Sequence, residues 1–431
     1  MRKHFAALGT AAVMAATGAL ATGCGSGDDS AGSDGPVELT YWAWAPGLDK
    51  AVATWNKKNP DIKVTVQKQA SGDDLVTKIL TAAKANKAPD LIQAEYQALP
   101  TLISNDVVAD ISGEAGDLKS KFPAGIWQQV TLGSDALYAL PQDSGPMMFF
   151  YRKDLFKKYG LEVPATWDDF AEQARDLKKQ APDISLTTFA ASEAGQFAGL
   201  AQQAGAKWWT AKGEKWNVAI DAPPAQKVAD FWGGLVKEGA VDNKPMYTPA
   251  WNKALNTGKQ ISWVSAVWAP GVLSSVAPDT KGKWAMAPLP QWSKGDTATG
   301  SWGGSSTGVT NDAENKEAAT EFATWLNTDP EALAVLNKEG GLYPAATAAQ
   351  KALKTPPAFF ADQTDFYPTA TKIAQQTAPG NWGPNVNVAY QSFKDGFSKA
   401  AKSKGDFGTP LTAMQSATVK DLKKLGFEVS E

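Results

Sequence analysis

An α/β chain folded as two lobes is what this sequence predicts, and three observations lead there. Strand-like and helix-like segments alternate from residue 37 onward. The chain of 431 residues is longer than one ordinary core requires. No Pro-, Gly- or Ser-rich linker interrupts residues 37–431, as expected if two lobes share strands drawn from distant segments.

The elements can be taken in order. Val37-Glu38-Leu39-Thr40-Tyr41-Trp42 alternates apolar and polar side chains, the period of a half-buried strand. Leu48, Val52 and Trp55 then fall at i, i+4 and i+7, one face of a helix that Asn59-Pro60 stops. Ile62-Lys63-Val64-Thr65-Val66 returns to strand alternation, Asp73 to Ala85 reads as a second helix, and Pro89-Asp90-Leu91-Ile92 opens a third strand. That order predicts a mostly parallel sheet covered by helices. Further on, Thr166 with Asp169 three residues later is a capping pair before Trp167, Phe170, Ala174 and Leu177. Pro223-Pro224 starts a helix bearing Val228, Trp232, Leu235 and Val236, and Asn311 or Asp312 caps one bearing Ala318, Phe322, Trp325 and Leu326. Trp55, Trp167, Trp232 and Trp325 lie on such apolar faces and are expected in the core.

Composition removes whole classes of function. Hydrophobic residues make up 43% and charged residues 20%, and the net charge of −3 with a pI near 5.5 gives no basic excess for nucleic acid. The only His is His4 and the only Cys is Cys24. Everything beyond residue 24 therefore lacks imidazole and thiol, which excludes a Ser-His-Asp triad, a Cys-His pair and any zinc or iron site built on His or Cys. No cofactor, metal or catalytic residue is expected.

The first residues read as an address. Arg2, Lys3 and His4 precede an Ala-rich apolar stretch from Phe5 to Leu20, too short to span a bilayer and suited to a secretory signal over residues 1–23. Leu20-Ala21-Thr22-Gly23-Cys24 resembles the bacterial lipoprotein box, which implies that Cys24 carries diacylglycerol. Residues 24–36 contain no large apolar side chain before Val37 and read as a flexible tether. The expectation is a monomer on the outer face of the cell membrane, held there by lipid alone.

The order of several stretches carries a more specific likeness. Asn59-Pro60-Asp61-Ile62-Lys63-Val64, Pro89-Asp90-Leu91, Tyr138-Ala139-Leu140-Pro141, Phe150-Tyr151-Arg152-Lys153-Asp154-Leu155-Phe156 and Pro164-Ala165-Thr166-Trp167-Asp168-Asp169-Phe170 follow one another. Gly258-Lys259, Val267-Trp268, Ala287-Pro288-Leu289-Pro290, Gly303-Gly304 and Gly340-Gly341-Leu342-Tyr343-Pro344 complete the series. From Thr40 onward the chain resembles the extracellular solute-binding proteins of ABC importers, in the large family of carbohydrate binders similar to maltose-binding protein. Arg152 stands where that family has Asn, a difference expected to matter little in a surface turn. Gln260 and Trp263 replace a commoner small residue and Met.

The resemblance implies a two-lobed periplasmic-binding-protein-like fold of type II. Each lobe would be a mostly parallel sheet flanked by helices, with a hinge between them. Residues 37–146 with 302–345 would form the N-terminal lobe, and 147–301 with 346–431 the C-terminal lobe. It also implies capture of a di- or oligosaccharide by hinge closure and delivery to ABC permease subunits. A pyranose offers an apolar C–H face and a rim of hydroxyls, so its site needs flat aromatic rings and fixed polar groups. The 17 Trp supply candidates for the first. Trp44 follows the first strand beside the turn Ala45-Pro46-Gly47, Trp268 lies beyond a strand end, and Trp302 precedes Gly303-Gly304, where backbone can approach a ligand. Glu95 and Tyr96 follow the third strand, Asp143 and Ser144 lie where the lobes connect, and Gln196 sits at a helix start. Tyr343 and Trp382 complete the candidate ligand-binding set, and one of Trp208 and Trp209 is expected in the core. A solute other than sugar, or a surface glycosidase working with two carboxylates, are the alternative readings.

Overall fold

The computed structural model describes residues 35–212, 215–378 and 380–430. The signal segment, Cys24 and the tether through residue 34 lie outside the described residues. No helix among the described residues is long and apolar enough to cross a membrane.

Among the described residues, eleven strands organise the fold: β1 (Val37–Ala43), β2 (Ile62–Lys68), β3 (Leu91–Glu95), β4 (Leu140–Pro141), β5 (Met147–Arg152), β6 (Trp209–Lys212), β7 (Lys215–Val218), β8 (Ser262–Ala266), β9 (Trp284–Ala287), β10 (Ser305–Val309) and β11 (Glu428–Val429). β1, β2 and β3 are parallel, with Val37 opposite Ile62 and Tyr41 opposite Leu91. Helices Leu48–Lys58 and Asp73–Ala83 connect them, as the alternation of periods requires. The five-stranded sheet runs β2-β1-β3-β10-β4, and its last two pairings are antiparallel. It builds one hydrophobic core, from Leu39 to Leu140 and from Val309 to Ala346. A second core takes in residues between Met147 and Trp302 and between Tyr343 and Leu422. The fold is a two-lobed α/β architecture.

The second lobe departs from the parallel pairing expected of it. β5 pairs antiparallel with both β8 and β9, and β6 with β7; β11 with β7 is parallel. The reason lies in the connections. β5 enters directly from the first lobe as the central strand of its sheet and runs opposite to β8 and β9, while β6 ends at Lys212 and β7 begins at Lys215, too close in sequence for the crossover a parallel pair needs.

Three crossing segments join the lobes, and they are stitched to one another. Gln142 N and Asp143 N donate to Ser305 O, Ser144 N to Tyr343 O, Ala345 N to Gln142 O, and Trp302 N to Gly145 O. Gly145 has no room for a Cβ, which would collide with the Trp302 carbonyl oxygen. Thus residues 141–147, 300–305 and 341–346 form one hydrogen-bonded hinge.

Other local expectations meet the structure variously. Thr166 and Asp169 form a reciprocal capping box for the helix Trp167–Gln180. The helix bearing Phe322 starts later than expected, at Lys316 with Asn315 as N-cap, because Thr310–Ala313 turns before it. Trp208 and Trp209 are both buried, because Trp208 precedes β6 and packs on Phe197 of the helix Ala194–Gln203 while Trp209 opens the strand beneath Trp382. Trp55, Trp167 and Trp232 are buried, and Trp325 packs partly buried on Trp55. Arg152 is not on a surface turn. It ends β5, is 5% exposed, and forks onto Asp154 with Nε–Oδ1 at 2.8 Å and Nη2–Oδ2 at 2.7 Å.

Trp167 shows how the second core is held. Its ring meets Phe170, Phe231, Trp232 and Trp292 at 5.4–5.9 Å, and its Nε1–H donates to Gln203 Oε1 at 3.0 Å. Truncation opens a cavity and strands the Gln203 oxygen. Trp167→Ala should cost about 3–5 kcal/mol, read as a lower urea midpoint, and Trp167→Phe distinctly less.

Candidate functional site

A cavity of about 1400 Å³ lies between the two lobes, with the hinge as its floor. That exceeds the roughly 300–1,000 Å³ of a pocket for one small ligand and leaves space for more than one sugar-sized ring. Trp44, Gln93, Glu95 and Asp143 face it from the first lobe, and Glu193, Tyr247, Trp268 and Tyr390 from the second.

On the first lobe the wall is fixed by Gln93, the third residue of β3. Its Oε1 accepts from Trp44 N and Ala45 N, both at 3.0 Å, while its Nε2 donates to Gln142 Oε1 at 2.7 Å and Ser305 Oγ at 3.0 Å. One buried amide thereby ties the Trp44 loop to two crossing segments. Asp143 belongs to the same knot: its Oδ1 accepts from Ser305 N at 2.5 Å and Ser305 Oγ at 2.7 Å. Withdrawal from bulk water pushes its carboxyl up to about 6, although the Ser305 bonds act in the opposite direction. Glu95, at the end of β3, accepts from Gln97 Nε2 at 2.6 Å.

The second lobe contributes a ladder of rings. Trp268 stands edge-on to Trp302 at 5.1 Å and to Trp263 at 5.7 Å, and its Nε1–H donates to Trp302 O at 2.9 Å. Trp263, wholly buried in β8, continues the ladder to Trp251 at 5.1 Å. This backing leaves Trp268 few ways to turn. Tyr247 is 45% exposed and rests on Trp251 at 5.3 Å. Its backbone φ of 60° is a left-handed conformation that a Tyr seldom adopts, held between Pro245 and Pro249. Enclosure by the walls raises its phenol well above the ordinary range, and Glu193 and Glu95 add to the shift.

The expected site residues divide into two groups. Trp44, Glu95, Asp143, Trp268, Trp302 and Gly303 line the cleft. Tyr96, Ser144, Gln196, Tyr343 and Trp382 stand behind or beside it. Tyr96 is buried beneath Gly304 and donates to Asp143 O at 2.8 Å. The Ser144 hydroxyl is enclosed in the hinge. Gln196 donates to Val264 O at 2.8 Å, Tyr343 shares a hydrogen bond with Thr371 at 3.0 Å, and Trp382 packs on Trp209 and Tyr390. Glu193, Tyr247, Tyr390 and Lys394 also line the cleft, beyond the residues expected there. For Tyr390 and Lys394 an i, i+4 pair on the helix Val386–Ser403 was the available signal. For Tyr247 it was an aromatic residue between two prolines.

Known proteins resemble this chain over most of its length. The arabinooligosaccharide-binding protein of Bacillus subtilis is 25% identical over 327 residues, 72% of this chain and 73% of that protein. Two solved structures superpose closely. The galacto-N-biose-/lacto-N-biose I-binding protein of the ABC transporter from Bifidobacterium longum, in complex with lacto-N-biose, gives a TM-score of 0.84 at 29% identity, covering 93% of this chain and 100% of that one. The ABC transporter associated binding protein from B. animalis subsp. lactis Bl-04, in complex with β-1,6-galactobiose, gives 0.83 at 26% identity, covering 92% and 100%. The family model described as bacterial extracellular solute-binding protein matches residues 41–333, more than half of the sequence, and this chain therefore belongs to that family.

Proposed function

We propose that this chain captures a di- or oligosaccharide outside the cell and presents it to the permease subunits of an ABC importer. The observation that carries the reading is the interlobe cleft, where the backed ring of Trp268 and the ring of Trp44 share one cavity with Glu95 and Asp143. Flat rings bury the C–H faces of a pyranose, while carboxylates and amides take its hydroxyls. The two similar structures solved with disaccharides support a ligand of that size.

Mechanism follows from the two lobes and their hinge. A sugar first docks on one lobe, and closure then brings the other lobe against it. Closure is favoured only by interactions that the sugar makes in the closed state and not in the open one, so the permease recognises a shape that reports occupancy. A diacylglyceryl group on Cys24 would keep the protein at the membrane where the permease lies, as a monomer on the outer face.

Three outcomes test this reading. Lacto-N-biose, β-1,6-galactobiose, arabino-oligosaccharides and maltose, each at millimolar concentration, form a panel for thermal unfolding. At least one should raise the melting temperature by several degrees through mass action; no shift with any sugar rejects the reading. Trp268→Ala should weaken binding of the identified sugar at least tenfold by calorimetry while the protein still melts cooperatively.

The third outcome concerns pH. The folded value of Asp143, about 6, lies above its ordinary 3.8. Its contribution to stability is therefore fully present below pH 3.8 and is lost as pH rises through 6. Sugar hydroxyls donate more strongly to the ionised carboxylate. Between pH 5 and 7.5, affinity should thus rise severalfold while the ligand-free protein loses stability. Asp143→Asn, which keeps the oxygen facing Ser305, should flatten both trends.

A further inference from the structure

Trp382 has the residue type of a sugar-stacking plate but does not line the cleft. Its surroundings point to another task. It packs against both hydrophobic cores, touching Trp209 and Tyr390 of the second lobe, each at 6.3 Å, and apolar residues of the first. The segment that carries it, residues 380–385, is strapped to the second lobe. Asn385 Nδ2 donates to Thr418 O at 2.9 Å and to Asp421 Oδ2 at 3.1 Å. Gly383 lies so close over the Trp209 ring that a Cβ there would collide with the indole. From this anchored position Pro384 presents its carbonyl to the first lobe, where Thr101 Oγ1 donates to it at 3.0 Å. Both groups are buried.

This contact is set apart from the hinge in sequence. Thr101 belongs to the helix Leu99–Ser104, just after the Tyr96–Ala98 turn that follows Glu95. The partner segment leads into the helix Val386–Ser403, whose Tyr390 and Lys394 line the cleft. Strap and helix thus form one unit with a wall of the cleft, and the strap meets the opposite lobe beside the end of β3. A hydrogen bond with both partners buried is lost completely if the surfaces separate, because neither group keeps the other within reach.

We infer that residues 380–385 are an interlobe latch: Trp382 and the Pro384 carbonyl engage the first lobe at Thr101 when the cleft is closed and set how long the sugar is held, without touching it. The inference rests on the sugar-binding reading for its ligand but not for its geometry. A latch confined to the closed state raises the closed population, and the apparent affinity rises by the same factor while that population is small.

The test uses the full folded chain with Thr101→Val, which removes only the hydroxyl donor, and Trp382→Ala, which removes the plate. Stopped-flow release of the identified sugar should be about threefold to tenfold faster in Thr101→Val and faster still in Trp382→Ala. Association rates should stay within twofold. A role confined to folding would lower the melting temperature and leave release unchanged, so unchanged release in Thr101→Val overturns the latch whatever Trp382→Ala does to folding. Should the wild type bind no sugar of the panel, the sugar reading falls and single-molecule energy transfer between one dye on each lobe of the ligand-free proteins, which resolves the minor closed state, decides. A smaller closed fraction in Thr101→Val supports the latch, and equal fractions overturn it.

Discussion

The molecule depends on a knot of hydrogen bonds where three stretches of chain pass between its cores. Gln93, Gln142, Asp143 and Ser305 are linked by hydrogen bonds of 2.5–3.3 Å through carboxylate, amide and hydroxyl groups. The backbone amides of Gln142 and Asp143 close on the same Ser305 carbonyl. Burying a carboxylate there is unfavourable unless donors surround it, and Ser305 supplies two. The knot does more than join the lobes. Through Gln93 it fixes the Trp44 loop, and through the Trp302 carbonyl it fixes the indole of Trp268. The plates on both walls are referenced to one origin, so a rotation at the hinge moves each as a rigid part of its lobe.

The two lobes are built by different means around that origin. The first is a sheet begun by local βαβ connections, and its helices cover strands already paired in sequence order. The second is dominated by aromatic packing, in which Trp167, Phe170, Phe231, Trp232 and Trp292 interlock. Only Trp44, Trp268 and Trp302 of the 17 Trp line the cleft, so most of this unusual content serves other parts of the fold. The ladder through Trp251 and Trp263 joins the two uses, since the ring facing the cavity is supported by rings that are themselves buried.

Local order was legible in the sequence and partnership was not. The alternation in Val37–Trp42, the capping pair Thr166 and Asp169 and the helix opened by Pro223 are decided within a few residues, and each was readable. Strand direction in the second lobe was not, because the period of a strand says which side chains share a face but not which neighbour it meets. Arg152 has the sequence setting of a turn residue, yet β5 places it inward against Asp154. In the cleft, Trp44, Glu95, Asp143, Trp268, Trp302 and Gly303 could be picked because they follow strand ends or border glycines. Tyr96, Ser144, Gln196, Tyr343 and Trp382 share those cues but spend their polar atoms or rings on the frame itself. Tyr247 carried a cue, an aromatic residue between two prolines, but its backbone is left-handed, which that cue does not announce.

One contact described only by its glycines bears on how such a cleft can change. Gly271 lies on the helix Ala269–Val276 of the second lobe, and a Cβ there would sit 3.1 Å from the carbonyl oxygen of Gly340 in the first. Gly341, at a φ of 68°, closes on Gly271 from the other side. Main chain touches main chain with nothing interposed, so the lobes meet without side-chain padding right beside the hinge. A single added methyl would act as a wedge there, and enlarging the chamber for a bulkier guest has to come from the walls rather than from the pivot.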